Sequence, residues 1–389
     1  MRTFLKYGVR TLIVLVLVAA AGAIWKRDEL QRLMAVNSLF DASRIVHNFS
    51  HMNDAFLNVT VARGETPVAP LSTSTNTLNT DGYDEWLKSR NITSFLVLHD
   101  GKIVHEAYYN DTKPQDLRIS WSVAKSYLSA LLGIVMDEGA IASLDDPVTK
   151  YAPSLKGGAY DAASIRDVLT MTSGVTFDED YLDQDSDINR MGRVLALGGK
   201  MDDFAADLTE THSEPGARWT YVSIDTHVIS MVIRGATGRD IPSLLSEKII
   251  EPLGVEQAPY YLTDGVGVAF VLGGLNVTTR DYARFGQMIL QDGQWQGKQI
   301  VPADWIAEST APSAPTKPGQ TQYGYQWWIP SDARPGEFFA RGIYGQHIYF
   351  NKPAGVVIVS TAADRNFRET GRAAENIALF RSVVDDIQN

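Results

Sequence analysis

The sequence predicts an α+β fold: an antiparallel sheet built from both chain ends and flanked by helices, with a largely helical subdomain between. Three observations carry this expectation. Strand-like runs occupy residues 94–109 and return only from residue 323 to 361, while most of the intervening segments read as helices. Asp100-Gly101 links the first two runs and is a strong hairpin signal. With 389 residues, 44% of them hydrophobic and 21% charged, the chain can bury a large core in one domain or two intimately packed ones.

Composition removes several function classes. A formal net charge of −11 and the lack of a basic run argue against a nucleic-acid surface. The chain has no cysteine, which excludes disulfides, thiolate metal sites, a cysteine nucleophile and an acylated lipoprotein cysteine.

In chain order, residues 11–25 carry no charge, with Arg2, Lys6 and Arg10 before them and Lys26 and Arg27 after. As a helix this run spans roughly 22 Å, short of a hydrocarbon core of about 30 Å. Ala21-Gly22-Ala23 resembles a signal-peptidase site, so residues 1–27 read as an export signal directing the protein to the periplasm. If uncleaved, residues 11–25 would tether it to the inner membrane, with Trp25, Lys26 and Arg27 as an interfacial collar. Residues 28–80 read as a pre-domain segment without chemistry, ending in a Pro/Ser/Thr/Asn-rich linker over 66–80, and the catalytic region as residues 81–389.

A short helix over 83–90 precedes the hairpin, whose His99 and His105 lack a third ligand nearby and read as ordinary strand residues. After Ser122 comes a helix whose Leu128, Leu131, Leu132 and Val135 form one buried stripe. Residues 165–174 read as a helix closing on Gly174, and the acidic stretch from Asp178 to Asp187 as a solvated loop. Glu214-Pro-Gly leads through Tyr221 into a helix ending near Gly235; further helices follow over 241–250 and 279–290, and a last one over 370–387 closes the chain.

The chemistry concentrates at Ser122 and Lys125. They stand three residues apart at a helix start, one turn above each other on the same face. A serine hydroxyl needs a base to become a nucleophile, and a desolvated lysine can be that base because burial disfavours its charged form. Ser-x-x-Lys arises about once by chance in a chain this long, and a capping serine beside a solvated lysine would look the same. Such a site also needs a proton shuttle to the leaving atom and donors for the oxyanion. Tyr221, with Ser223 two residues on, is the candidate shuttle because it follows a Pro-Gly turn at the mouth of a helix; Tyr108, Tyr127 and Tyr349 head similar Tyr-x-Ser/Asn triplets.

With these stretches the sequence resembles the penicillin-recognising serine hydrolases, a group including class C β-lactamases and DD-carboxypeptidases, and within it most resembles the 6-aminohexanoate-dimer hydrolases. The matching stretches are Ser120-Trp-Ser-Val-Ala-Lys-Ser126, Ile165 to Gly174, Phe177-Asp-Glu-Asp-Tyr181, Pro215-Gly through Ser223, Gly273-Gly-Leu, Thr279 to Gly286 and Arg341-Gly-Ile-Tyr-Gly-Gln346. They run in the family's order over roughly residues 81–385. The resemblance implies a beta-lactamase/transpeptidase-like fold, with Ser122 as nucleophile, Lys125 as base and Tyr221 as proton donor to the leaving group. It implies an oxyanion hole from the backbone N–H groups of Ser122 and Ile343, and a Tyr181 that closes over bound amide. Ser223 stands at the Asn/Ser position of the second motif. Where Lys-Thr-Gly or His-x-Gly is usual, this chain has Ala340-Arg341-Gly342, so the lysine that holds a β-lactam or D-alanyl carboxylate is missing. Arg341 would replace it only if turned inward, with Tyr344 and Gln346 lining the same wall.

The expected activity is hydrolysis of a small-molecule linear amide or ester through a Ser-Lys-Tyr acyl-enzyme, with no metal or cofactor. The alternatives are a β-lactamase or DD-peptidase on the same site, or a non-catalytic protein that keeps the fold.

Overall fold

The computed structural model describes residues 2–74 and 78–389. Two helices open the chain, α1 (Arg2–Trp25) and α2 (Arg27–Asn37), before strand β1 (Asn58–Thr60). The expected hairpin follows as β2 (Ile92–His99) and β3 (Lys102–Tyr108). Asp100 and Gly101 both have positive φ (48° and 77°), the left-handed pair a two-residue turn of this twist requires. Next come β4 (Arg118–Ile119), α3 (Ala124–Asp137), α4 (Ile165–Leu169), α5 (Asp187–Ala196), α6 (Ser223–Thr237), β5 (Tyr260–Leu262), β6 (Leu275–Val277) and α7 (Thr279–Leu290). The C-terminal part contains β7 (Gln322–Tyr323), β8 (Trp328–Ile329), β9 (Glu337–Gly342), β10 (Gln346–Asn351), β11 (Val356–Ala362) and α8 (Arg372–Gln388).

The main sheet is seven-stranded and antiparallel, in the order β3-β2-β11-β10-β9-β8-β7. Both chain ends build it: β2 pairs with β11 along its length, from Val356 opposite His99 to Thr361 opposite Ser94. Its β2, β10 and β11 positions are buried almost throughout, because α7 packs on the sheet and Phe380 of α8 sets its ring against Phe95 and Tyr349. A second, four-stranded sheet in the order β1-β5-β6-β4 was not legible in the sequence, since its strands are only two or three residues long.

Helix α3 is the centre of the molecule. The sequence suggested a single apolar stripe, yet every residue from Ala124 to Val135 is buried, polar ones included. Buried polar side chains need partners. The Ser126 hydroxyl donates to the Gln326 carbonyl (2.8 Å), and the Tyr127 ring stacks on Phe285 with centroids 3.6 Å apart. Gly133 gives Trp305 its place: a Cβ there would lie 2.3 Å from the indole.

Three expectations need correction. Residues 28–80 do not form a leader ahead of a body beginning at residue 81. Ile45, Phe49, Met52 and Val61 are fully buried, Ile119 N–H donates to the Phe49 carbonyl (3.0 Å), and β1 pairs with β5. Within the expected linker 66–80, Ala69 is buried, Ser74 N–H donates to the Ile103 carbonyl (2.8 Å), and residues 75–77 lie outside the described residues. The helix expected over 165–174 stops at Leu169, where the hydroxyls of Thr170 and Thr172 compete for the carbonyls of Arg166 and Asp167. The acidic stretch 178–187 ends in the start of α5, which Ser186 caps by accepting from Asn189 N–H.

Among the described residues no helix is long and apolar enough to cross a membrane, so the tether expected at residues 11–25 gains no support from the fold.

Candidate active site

Ser122 lies in a 3₁₀ turn (Trp121–Val123) that runs directly into α3, so Lys125 occupies the first turn of that helix. Lys125 is buried and donates from Nζ to the Leu272 carbonyl (2.9 Å), with the Tyr221 ring 5.6 Å away. No carboxylate lies within ion-pair distance of it among the described residues. Burial therefore pulls its pKa down to about 7, against the opposing charges of Glu179 and Asp225. Its hydrogen bond goes to Leu272 rather than to Ser122, a looseness usual before substrate completes the contacts.

Tyr221 stands at the entry to α6, stacked on Trp328 with centroids 5.3 Å apart. Burial raises its pKa, as does Glu179, while the Ser122 hydroxyl, Arg341 and Ser223 oppose the rise, so the phenol stays protonated at neutral pH. Ser122 and Tyr221 face a common cavity of about 740 Å³, also lined by Tyr181, Arg341 and Ile343.

The end of β9 is pressed against the nucleophile turn. A Cβ on Gly342 would meet the Ser120 carbonyl at 2.6 Å and Ser122 N at 3.1 Å, so only glycine lets the strand approach this closely. Trp121 and Tyr344 carry positive φ (43° and 60°), which costs a bulky residue about 1–3 kcal/mol. They flank Ser122 and Ile343, the two residues expected to supply the oxyanion N–H groups.

The remaining expected residues divide. Tyr181 lines the cavity and donates to Glu179 Oε2 (3.1 Å). Ser223 is fully buried, and its N–H donates to Glu179 Oε1 (2.5 Å). Arg341 turns inward: its guanidinium lies 4.1 Å over the Trp328 ring, lines the cavity and has no ion-pair partner among the described residues. Tyr344 lines a second cavity and stacks on Phe40, centroids 5.1 Å apart. Gln346 does not line the wall expected of it. Its amide is buried, donating to the carbonyls of Ile343 (3.1 Å) and Ala362 (2.9 Å), so it braces the turn that holds Ile343.

Two acidic residues escaped the sequence reading. Glu179 is not a solvated loop residue; it lines the cavity beside Ser223 and Tyr181, with its pKa raised by burial against the pull of Lys125. Asp225 lies fully buried beneath, accepting from Tyr160 (2.7 Å) and Ser173 (2.9 Å), and burial raises its pKa to about 8. It stands in the polar Ser223-Ile-Asp-Thr-His227 start of α6, where the sequence gives no sign that it is buried.

A family description, Beta-lactamase, matches residues 88–381. The chain belongs to the beta-lactamase family. This beta-lactamase-family protein is 30% identical over 284 residues to the 6-aminohexanoate-dimer hydrolase of Paenarthrobacter ureafaciens, covering 69% of this chain and 72% of that protein. It is 27% identical over 170 residues to a D-aminopeptidase of Brucella anthropi, covering 42% of this chain and 31% of the relative. A solved structure of a candidate 6-aminohexanoate-dimer hydrolase from Bacillus anthracis superposes with a TM-score of 0.77 at 23% identity, covering 90% of this chain and 96% of that one. The beta-lactamase-family fold is thus the one expected: a mixed architecture with an antiparallel sheet built from both chain ends.

Proposed function

We propose that this protein is a serine hydrolase that cleaves linear amides or short esters through an acyl-enzyme. Neutral Lys125 takes the proton of the Ser122 hydroxyl, and Ser122 Oγ attacks the carbonyl carbon. The N–H groups of Ser122 and Ile343 hold the oxyanion, each such donor being worth about 10²–10³ in rate. Tyr221 protonates the leaving nitrogen or oxygen as the bond to it breaks. Water then attacks the ester and returns Ser122 through the reverse relay. The observation that carries this reading is Lys125, buried without an anionic partner one turn from Ser122, so that its basic form is present at neutral pH.

A second reading rests on Arg341. Its inward, unpaired guanidinium suits a substrate carboxylate, as on a β-lactam or a D-peptide. The test compares wild type with Ser122→Ala on a p-nitrophenyl ester, a 6-aminohexanoate dimer and a chromogenic cephalosporin. Ser122-dependent ester or linear-amide turnover with little cephalosporin cleavage is expected, and dominant cephalosporin turnover would put the second reading first. Ser122→Ala is expected to abolish turnover with its melting temperature nearly unchanged; full activity in that variant would overturn the mechanism.

A further inference from the structure

Ser122 faces two cavities, not one. The second, of about 540 Å³, shares Ser122, Tyr181 and Ile343 with the first but is otherwise lined by different residues. Its walls are mainly apolar, with Asn37, Gln184, Asn189 and Arg193 among them, and most of them come from parts of the chain away from Lys125 and Tyr221. Phe40 and Met52 enter from the N-terminal segment, Ile188, Met191 and Leu195 from one face of α5, and Phe270 from the loop after β5. Phe40 stacks on Tyr344, and Phe49 meets Trp121 edge-on with centroids 5.5 Å apart, so the N-terminal segment is joined to the residues that flank the oxyanion position.

We infer that this second cavity binds the acyl portion of the substrate and that its occupant is a medium-length unbranched hydrocarbon chain. The inference rests on the proposed acyl-enzyme mechanism for its orientation. Once the oxyanion is fixed, a carbonyl has two remaining substituents, and the leaving one must lie beside its proton donor. Tyr221 lines the first cavity and not the second. The leaving group therefore departs through the first cavity, with Arg341 and Glu179, and the acyl chain extends into the apolar one. A concave apolar space of this size, open to the nucleophile, is the usual form of a ligand pocket.

Gly192 supplies a direct probe. It lies on α5 and lines the apolar cavity, and a Cβ built there meets nothing within 4 Å. Gly192→Phe thus meets no clash at its Cβ, adds a bulky ring at the cavity wall and replaces glycine by a better helix former. On the full chain, kcat/KM for p-nitrophenyl esters from acetate to decanoate is expected to rise about fourfold per added CH2 until the cavity is full, as burial of methylenes dictates. Gly192→Phe is expected to reduce the octanoate-over-acetate preference at least tenfold. Calorimetry on Ser122→Ala supplies a readout independent of turnover: octanoate should bind about 10²-fold more tightly than butanoate, with a negative heat-capacity change. Ser122-dependent turnover that is flat with chain length would overturn the acyl pocket and leave the mechanism standing, as would an unchanged preference in Gly192→Phe. Chain-length-dependent binding without turnover of any ester would uphold the pocket and sink the mechanism. Equal binding of octanoate and butanoate would overturn the pocket.

Discussion

Lys125 shows how burial turns an ordinary side chain into a reagent. With its pKa lowered to about 7 by desolvation, the basic form accumulates as pH rises through that value. Activity is therefore expected to be low at pH 5, to rise through about 7 and to level off above it. The burial-raised pKa of Tyr221 adds no fall below the ordinary tyrosine range. A kcat/KM profile from pH 5 to 9 checks this, and a flat profile would remove Lys125 as the base. Asp225 carries a linked prediction about stability. Its folded pKa, about 8, lies above its unfolded value, so its favourable contribution is complete below the unfolded pKa and is lost as pH rises through about 8. Asp225→Asn removes that loss while keeping an acceptor for Tyr160 and Ser173. The variant's melting temperature relative to wild type should rise between pH 4 and pH 8; a gap independent of pH would show that Asp225 is ionised throughout.

At the scale of elements, the site exists because a strand end and a helix start meet. Gly342 permits the contact, so Gly342→Ala must push β9 away from the Ser120–Ser122 backbone. Such overpacking typically costs about 1–3 kcal/mol, while displacing Ile343 from the oxyanion position should lower kcat by roughly 10²-fold. Calorimetry and steady-state kinetics on the same preparation would separate the two effects. An unchanged kcat would mean that Ile343 is not a donor. The β2–β3 hairpin was readable because Asp-Gly is turn chemistry encoded within the chain at that point. The end of α4 was not, because hydroxyl competition for its carbonyls is decided by local geometry rather than by periodicity.

For the whole molecule, the N-terminal segment belongs to the core. Its fully buried Ile45, Phe49, Met52 and Val61 cover the small sheet and the approach to Ser122. Truncating a buried aromatic to alanine costs about 3–5 kcal/mol, a large share of the roughly 5–15 kcal/mol that holds most folded domains together. A chain starting at residue 81 is therefore expected to show no cooperative melting transition. Removing residues 1–25 should leave the transition where it is, because the apolar side chains Leu12 to Val18 of α1 stand exposed rather than packed on the body. Circular-dichroism melts of the two truncated chains against the full chain would decide it. A cooperative melt from the shorter chain would restore a boundary near residue 81.

By itself the sequence determined the elements that local patterns encode: the hairpin, the helix after Ser122, the Ser-x-x-Lys spacing and a sheet drawn from both ends. Side-chain period and turn chemistry are properties of neighbours in the chain, so they can be read without knowing what packs on them. Only the tertiary structure decided which groups share a dielectric. It brought Leu272 to Lys125, set Glu179 in the cavity rather than in solvent, turned Gln346 into the sheet and Arg341 inward over Trp328, and made a core from residues 39–69. Those outcomes depend on contacts between residues tens to hundreds of positions apart, and burial, which tunes a charge or shapes a pocket, is a property of the packed whole.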